Sequence, residues 1–300
     1  IALQLFGAAL LAALGWLFLR GLGSLYRRRL ISDQSVIVDS LWFLFTMTSA
    51  VDFAFFGLSW FLAPFACFAV YKVVASLGFR LLNQRSRNAS LPSLLLLRVF
   101  SLGRRSARLF GNFGKLWRHE GGIRLIAGPD LATSTIEPHE FLDFLSGKLD
   151  RRFISGPETL KQRFAEEEPY PDFDGRTRVA DFFCHDDAWR MVLKRLARES
   201  DAVLMDLRGF TAQSRGCVFE IEELLNVVPL DRVVLVVDET TDLAFLRETL
   251  ERGWACLTEE SPNRAKSNPC IRLFRFNGKG KEGVYGLVAA VRNASMAKAA

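Results

Sequence analysis

The sequence predicts an α/β protein with a doubly wound parallel sheet, preceded by three transmembrane helices. Two observations lead to this prediction. From Leu94 onward, five short apolar runs alternate with segments of helical periodicity, which is the order that right-handed crossovers between parallel strands require. The chain also opens with long apolar stretches: residues 1 to 19 carry no charge, and residues 36 to 79 are interrupted only by Asp39, Asp52 and Lys72.

The apolar front predicts a three-helix membrane anchor over residues 1 to 82. About 20 residues cross a bilayer as a helix, so the first stretch provides one crossing and the second, roughly twice as long, provides two. Basic residues follow the first and the third predicted helices: Arg20, Arg27, Arg28, Arg29, Arg80, Arg85 and Arg87. Because such residues stay on the cytoplasmic side, we expect a multi-pass protein of the cell inner membrane with a cytoplasmic C-terminal domain.

The charge distribution argues against nucleic acid as a partner. The net charge is +6, and the basic excess lies in and beside the apolar front, where it indicates membrane orientation. Asp39 and Asp52 each fall near a predicted helix end, where a carboxylate reaches water. The five cysteines form no disulfide framework, as expected in a reducing cytoplasm.

The predicted cytoplasmic domain spans residues 94 to 300, after a linker at 83 to 93. We place its five strands in the flavodoxin-like order 2-1-3-4-5. A proline-containing and acidic insertion at 150 to 181 is expected to be a solvated excursion, with a lid over the site as the alternative. The five predicted strands are Leu94–Phe100, Ile123–Ala127, Ala202–Leu207, Val233–Val237 and Ile271–Phe276.

The segment from Asp201 to Leu225 reads as a strand, a polar loop and a helix. An apolar stripe on the helix begins at Cys217 and must face the sheet. At about 100° per residue, Glu220 lies at the border of that stripe and beside the loop, whereas Glu222 and Glu223 point to solvent. Glu220 is therefore the carboxylate of this helix that we predict to act in a crevice.

The spacing of Ser214, Cys217 and Glu220 after this strand resembles Toll/interleukin-1-receptor (TIR) domains. In that family a Trp-Cys-x-x-Glu segment carries the glutamate of the NAD-cleaving members; here Gly216 stands at the Trp position. The resemblance covers about Leu94 to Asn293 and implies a flavodoxin-like domain. It also implies Glu220 as the catalytic residue, NAD as a substrate and association into homo-oligomers.

The predicted strand order opens a crevice between the first and third predicted strands. We expect it to bring together, as ligand contacts, Ser101, Gly103, Arg104, Arg105, Arg208, Phe210, Ser214 and Cys217. Arginines at a helix start suit phosphate groups, although contact with an anionic membrane surface would explain Arg104 and Arg105 equally well.

Three functions remain open at this point: NAD cleavage, a non-catalytic membrane scaffold or adaptor, and a nucleotide sensor. Fold alone does not choose among them. No metal site is expected, because His185, Asp186 and Asp187 suit the start of a helix and no second histidine cluster completes a ligand set. No cofactor is expected either, since NAD would be the substrate.

Overall fold

The structure is a computed structural model that describes residues 16, 20–21, 24–26, 31–82, 91–98, 104–127, 153–167, 170–172, 174–185, 188–266, 269–277 and 280–297. The chain divides into two compact units. One contains two long N-terminal helices, and the other contains a parallel sheet with its flanking helices.

Two apolar helices, α1 (Asp33–Ala54) and α2 (Leu58–Leu82), lie in the first unit. Helix α1 begins after Ser32, whose side chain accepts a hydrogen bond from the backbone N–H of Ser35. Gly57, between the helices, has a φ of 114°, which a residue without a Cβ adopts at little cost. Both helices are long and apolar enough to cross a membrane. The described residues thus contain two such helices and not three, since the first predicted crossing lies mostly outside them.

Six parallel strands form one sheet in the second unit. Their order is β3-β2-β1-β4-β5-β6, so the prediction of five strands is wrong by one. The five predicted strands keep their predicted neighbours, and β3 adds an edge beside β2. The strands are β1 (Ser93–Arg98), β2 (Gly122–Ala127), β3 (Val179–Phe183), β4 (Ala202–Asp206), β5 (Val233–Val237) and β6 (Arg272–Arg275).

The additional strand comes from the predicted insertion. The described part of residues 150 to 181 contains helix α4 (Pro157–Ala165) and the beginning of β3. Phe182 of β3 is fully buried, and Phe164 of α4 packs on it with the ring centroids 5.2 Å apart. These parts of the insertion therefore belong to the core and are not a solvated excursion.

Helices cover both faces of the sheet and bury its central strands. Every residue of β4 and β5 is buried, as expected for parallel strands between two helical layers. The helices are α3 (Arg104–Trp117), α5 (Trp189–Glu199), α6 (Arg215–Val227), α7 (Leu243–Ala255) and α8 (Gly280–Met296). Residues of α4, α5, α6 and α7 share one core cluster, and residues of α3 and α8 share the other.

Candidate functional site

The carboxyl ends of β1 and β4 define the candidate site, which we call the switch-point edge. Arg98 and Asp206, the last residues of these strands, are paired in register. Helix α3 follows β1 and helix α6 follows β4, and the two helices lie on opposite faces of the sheet. Open α/β sheets bind their ligands where the connections diverge in this way.

A buried ion pair lies at the end of β4. Arg208 donates from Nε to Oδ1 of Asp206 at 2.8 Å and from Nη2 to Oδ2 at 2.7 Å, and both side chains are buried. The hydroxyl of Ser106, in the first turn of α3, donates to Oδ2 at 2.9 Å. The Asp206 carboxylate therefore joins the end of β4 to the beginning of α3 through charge-assisted hydrogen bonds.

Arg208, which we predicted as a ligand contact, is held in this ion pair. Its Cζ atom also lies 5.4 Å from the ring centroid of Phe276, just beyond β6. A planar guanidinium suits this combination of bidentate pairing and stacking. Arg208 thus links the ends of β4 and β6, and its contact with a ligand stays a prediction.

The loop from Leu207 to Ser214 leads from β4 into α6. Gly209 has a φ of 72°, a left-handed conformation that lets the chain turn. The next residue, Phe210, is fully buried and stacks on Phe245 of α7 with the ring centroids 5.4 Å apart. The predicted ligand contact of Phe210 would therefore require its ring to leave the core. Ser214 occupies the N-cap position of α6, and its Oγ accepts a hydrogen bond from the backbone N–H of Thr211 at 3.3 Å.

Glu220 and Cys217 form a buried pair on α6. Their exposed fractions are 4% and 3%, and the Cys217 thiol donates a hydrogen bond to the Glu220 carboxylate. The Oε2 atom of Glu220 is buried and has no hydrogen-bond partner among the described residues. Burial raises the pKa of Glu220 to about 8, and the bond from Cys217 opposes this shift. Burial also raises the pKa of Cys217, with Glu220 and Asp206 adding to the effect.

The neighbouring glutamates of α6 behave differently from Glu220. The Glu222 side chain is 39% exposed and lies 3.5 Å from Arg252, measured between Oε1 and Nε. The Glu223 side chain is only 15% exposed, with Oε1 3.4 Å from Lys194 Nζ. The prediction that both point to solvent is therefore wrong for Glu223, because α5 packs beside that part of α6.

Two of the remaining predicted contacts lie at the beginning of α3. Arg104 and Arg105 form the first backbone turn of this helix, and nothing further is described of their side chains. Ser101 and Gly103 lie outside the described residues. The Ser106 bond to Asp206 nevertheless brings the start of α3 to the switch-point edge, as the prediction requires.

Sequence reasoning missed three polar residues at this end of the sheet: Ser106, Asp206 and Asp238. Asp238 follows β5, is buried, and accepts hydrogen bonds at Oδ1 from the backbone and the hydroxyl of Thr240. Asp206 and Asp238 each end an apolar run in the sequence, and this signal could have identified both. Among the described residues, no cluster of histidine, cysteine and acidic side chains suits a metal ion.

A surface groove of about 620 Å³ lies beside the paired side chains of Lys194 and Glu223. The C-terminal halves of α5 and α6 and the loop after α7 line it, including Lys194, Arg198, Asn226 and Glu260. Helices that follow parallel strands run back toward the amino ends of those strands. The groove therefore lies toward the amino ends of the strands, and Glu223, which lines it, is about one helical turn beyond Glu220 on α6.

Comparison with known proteins identifies no family for this chain. No family model matches, and no curated protein matches significantly. A phosphoglycerate kinase from Coxiella burnetii aligns in structure with a TM-score of 0.30 and 11% sequence identity. The alignment covers 75% of this chain and 58% of the kinase, so the chain spans less than two thirds of its length. This likeness carries no functional argument, and the TIR resemblance stays a prediction.

Proposed function

We propose that the protein is a membrane-anchored module whose cytoplasmic α/β domain binds NAD at the switch-point edge and cleaves it with Glu220. The observation that carries the proposal is the buried Glu220 carboxyl with its unpartnered Oε2. Buried polar atoms without partners are rare, and strongly perturbed carboxyl groups concentrate at functional sites. A ligand group would supply the missing partner of Oε2.

The chemistry of NAD suits this carboxyl group. The nicotinamide ring of NAD is cationic, and a nearby positive charge favours the ionised form of a carboxylate that burial keeps protonated. As the C–N glycosidic bond breaks, its electron pair leaves with nicotinamide. The positive charge then develops on the ribose, where the Glu220 carboxylate stabilises it until water adds.

The fold adds an independent argument for a dinucleotide. The strand order of this sheet is the 3-2-1-4-5-6 order of dinucleotide-binding sheets, which hold their ligand at the switch point. The helix start at Arg104 provides backbone N–H groups for a phosphate at the same edge. Association of the domains in the plane of the membrane raises their effective concentration and favours homo-oligomers.

Binding without turnover is the second candidate function. The observation that favours it is that the site is closed to solvent, since Glu220 is 4% exposed and Phe210 is fully buried. A site that stays closed would sense a nucleotide, or act as a scaffold, without reaching the glycosidic bond.

The test uses the purified full chain in detergent with NAD, and follows release of nicotinamide and retention of NAD by equilibrium dialysis. We expect Glu220→Gln, which keeps the side-chain shape, to abolish release, and Glu222→Gln on the same helix to leave it unchanged. Retention without release in the wild type would favour the sensor. Neither retention nor release would favour the scaffold.

A further inference from the structure

An ion pair connects the two apolar helices of the N-terminal unit. The Lys72 ammonium of α2 donates to the Asp39 carboxylate of α1, and the two side chains are 31% and 17% exposed. Asp39 therefore has a cationic partner on the neighbouring helix, whereas the sequence suggested that it simply reaches water at a helix end. Charged side chains inside apolar spans are costly and are normally paired or functional.

Aromatic contacts also join the two helices, but they are interchangeable. Phe43 of α1 contacts both Phe65 and Phe68 of α2, with the ring centroids 6.4 and 6.0 Å apart. Trp42 stacks on Tyr71 with the ring centroids 5.6 Å apart. Because aromatic residues recur on both helices, a slide by one helical turn, about 5.4 Å, would exchange one aromatic partner for another.

The ion pair is not interchangeable in this way. The candidate spans Gln34–Ala54 and Leu58–Phe79 contain three charged residues, Asp39, Asp52 and Lys72, and Lys72 is the cation among them. A slide by one turn would separate Lys72 from Asp39 and leave two unpaired charges in the apolar layer. The observed alignment of α1 and α2 is therefore the one in which Asp39 and Lys72 are paired.

We propose that the Asp39–Lys72 ion pair sets the register of α1 against α2 within the membrane. Packing of apolar and aromatic side chains holds the helices together, and the ion pair selects one alignment from several of similar packing. The inference rests on the membrane anchoring in the proposed function. It does not depend on NAD or on Glu220.

Cysteine cross-linking in membranes measures this register. The background is the full chain with Cys67, Cys256 and Cys270 replaced by serine. Phe43→Cys is combined with Phe68→Cys for the native register, or with Phe61→Cys or Tyr71→Cys for slides in either direction. Each pair is made in the otherwise wild-type chain and with Asp39→Ala, with Lys72→Ala, and with the exchange Asp39→Lys plus Lys72→Asp. Asp52→Ala, in the last turn of α1, is the matched control.

We expect the native cross-link to dominate in the wild type and in Asp52→Ala. Each single alanine variant should lower the ratio of native to shifted cross-links roughly fivefold to tenfold, and the charge exchange should restore it. Single variants that keep the native ratio, or an exchange that fails to restore it, would overturn the inference about register and leave the proposed membrane anchoring unaffected. Removal of the wild-type chain from membranes by alkaline carbonate would overturn the anchoring itself, and with it this inference.

Discussion

Burial keeps the Glu220 carboxyl group protonated, and therefore neutral, at neutral pH. The side chain is 4% exposed, its pKa is raised to about 8, and the described neighbours give Oε2 no hydrogen bond. The folded protein thus maintains an unfavourable environment for the charged form of Glu220. Strongly perturbed pKa values of this kind are concentrated at functional sites, where a bound ligand supplies the missing interactions.

The titration of Glu220 predicts how stability depends on pH. Its pKa rises from an ordinary 4.5 to about 8 in the folded state, so within this window the folded chain holds a proton that the unfolded chain has released. The free energy of unfolding must therefore fall as pH rises, by up to about 1.4 kcal/mol per pH unit from this group. We expect Glu220→Gln to remove this loss, so that the variant gains a few kcal/mol over the wild type between pH 5 and pH 9. Denaturant unfolding of both proteins in detergent across that range measures the difference, and parallel pH profiles would contradict it.

The same titration predicts the pH dependence of the proposed reaction. Glu220 must be ionised to stabilise a cation, and kcat/KM reports the ionisation of the free enzyme. We therefore expect kcat/KM for NAD to rise about tenfold per pH unit below the pKa near 8 and to level off above it. Nicotinamide release at a series of pH values checks this, with Glu222→Gln as the control that keeps the profile. A flat profile from pH 6 to pH 9 would remove Glu220 from the mechanism.

The sequence predicted that Cys217 and Ile221 belong to a buried stripe, and both are buried. It placed Glu220 at the border of that stripe, whereas the structure buries Glu220 together with the stripe residues. The helical period says nothing about neighbours from other elements. The stacking of Phe210 on Phe245 and the pairing of Arg208 with Asp206 depend on how β4, α6 and α7 meet, so neither could be predicted from spacing alone.

Among the elements, β4 and α3 are joined by the hydrogen bonds of Asp206. Ser106 from α3 and Arg208 from the loop after β4 both contact this carboxylate, and the ring of Phe276 packs against the Arg208 guanidinium. The arrangement holds the beginning of α3, where the proposed function places a phosphate, against the end of β4. The strength of the hydrogen bonds to Asp206 therefore decides how well the switch-point edge is organised before any ligand binds.

We predict that the two partners of Asp206 contribute unequally to stability. Arg208→Ala leaves a buried carboxylate without its cation and should cost roughly 3 to 5 kcal/mol, whereas Ser106→Ala removes one hydrogen bond to that carboxylate and should cost roughly 1.5 to 3 kcal/mol. Arg247→Ala, which breaks an exposed pair with Glu251 on α7, is the control and should cause no measurable change. Denaturant titration of the full chain in detergent compares the three variants. Equal losses for Arg208→Ala and Ser106→Ala would show that the guanidinium charge is not what balances Asp206.

The element that the sequence analysis missed is β3. Its run Val179–Phe183 is short, and the acidic residues and prolines before it suggested a solvated segment. The sequence nevertheless indicated that the segment before β3 is structured. Gly156, Pro157 and Glu158 are a typical helix start and predict α4. Edge strands such as β3 have a neighbouring strand on one side only, so their sequences are less apolar than those of β4 and β5 and are harder to recognise.

For the complete fold, the sequence predicted the α/β class, the parallel sheet and the switch point between β1 and β4. These follow from alternation and from the handedness of crossovers, which leave few topologies to consider. The apolar stretch at 36 to 79 was also correctly divided, since α1 and α2 meet at a turn beside Gly57. Pairing between the helices, as in Asp39 and Lys72, requires knowledge of their register and lies beyond what hydropathy predicts.

The charges that flank α1 and α2 predict the direction in which these two helices would cross a membrane. Arginines precede α1 at positions 27 to 29 and follow α2 at 85 and 87, whereas the turn Phe55–Gly57 between the helices carries no charge. Basic residues remain in the cytoplasm, so the turn should be external and the sheet domain cytoplasmic. In intact cells, Phe56→Cys, whose native side chain is 72% exposed, should react with an impermeant maleimide.

The chain contains its own control for this labelling experiment. Cys256 is an exposed cysteine of the sheet domain and should react only after the cells are permeabilised. With Cys67 and Cys270 replaced by serine, the labels at positions 56 and 256 report the two sides of the membrane in one protein. Labelling of Cys256 in intact cells, with protection of position 56, would reverse the orientation. Because NAD is a cytoplasmic ligand in this proposal, such a reversal would also separate Glu220 from its proposed substrate.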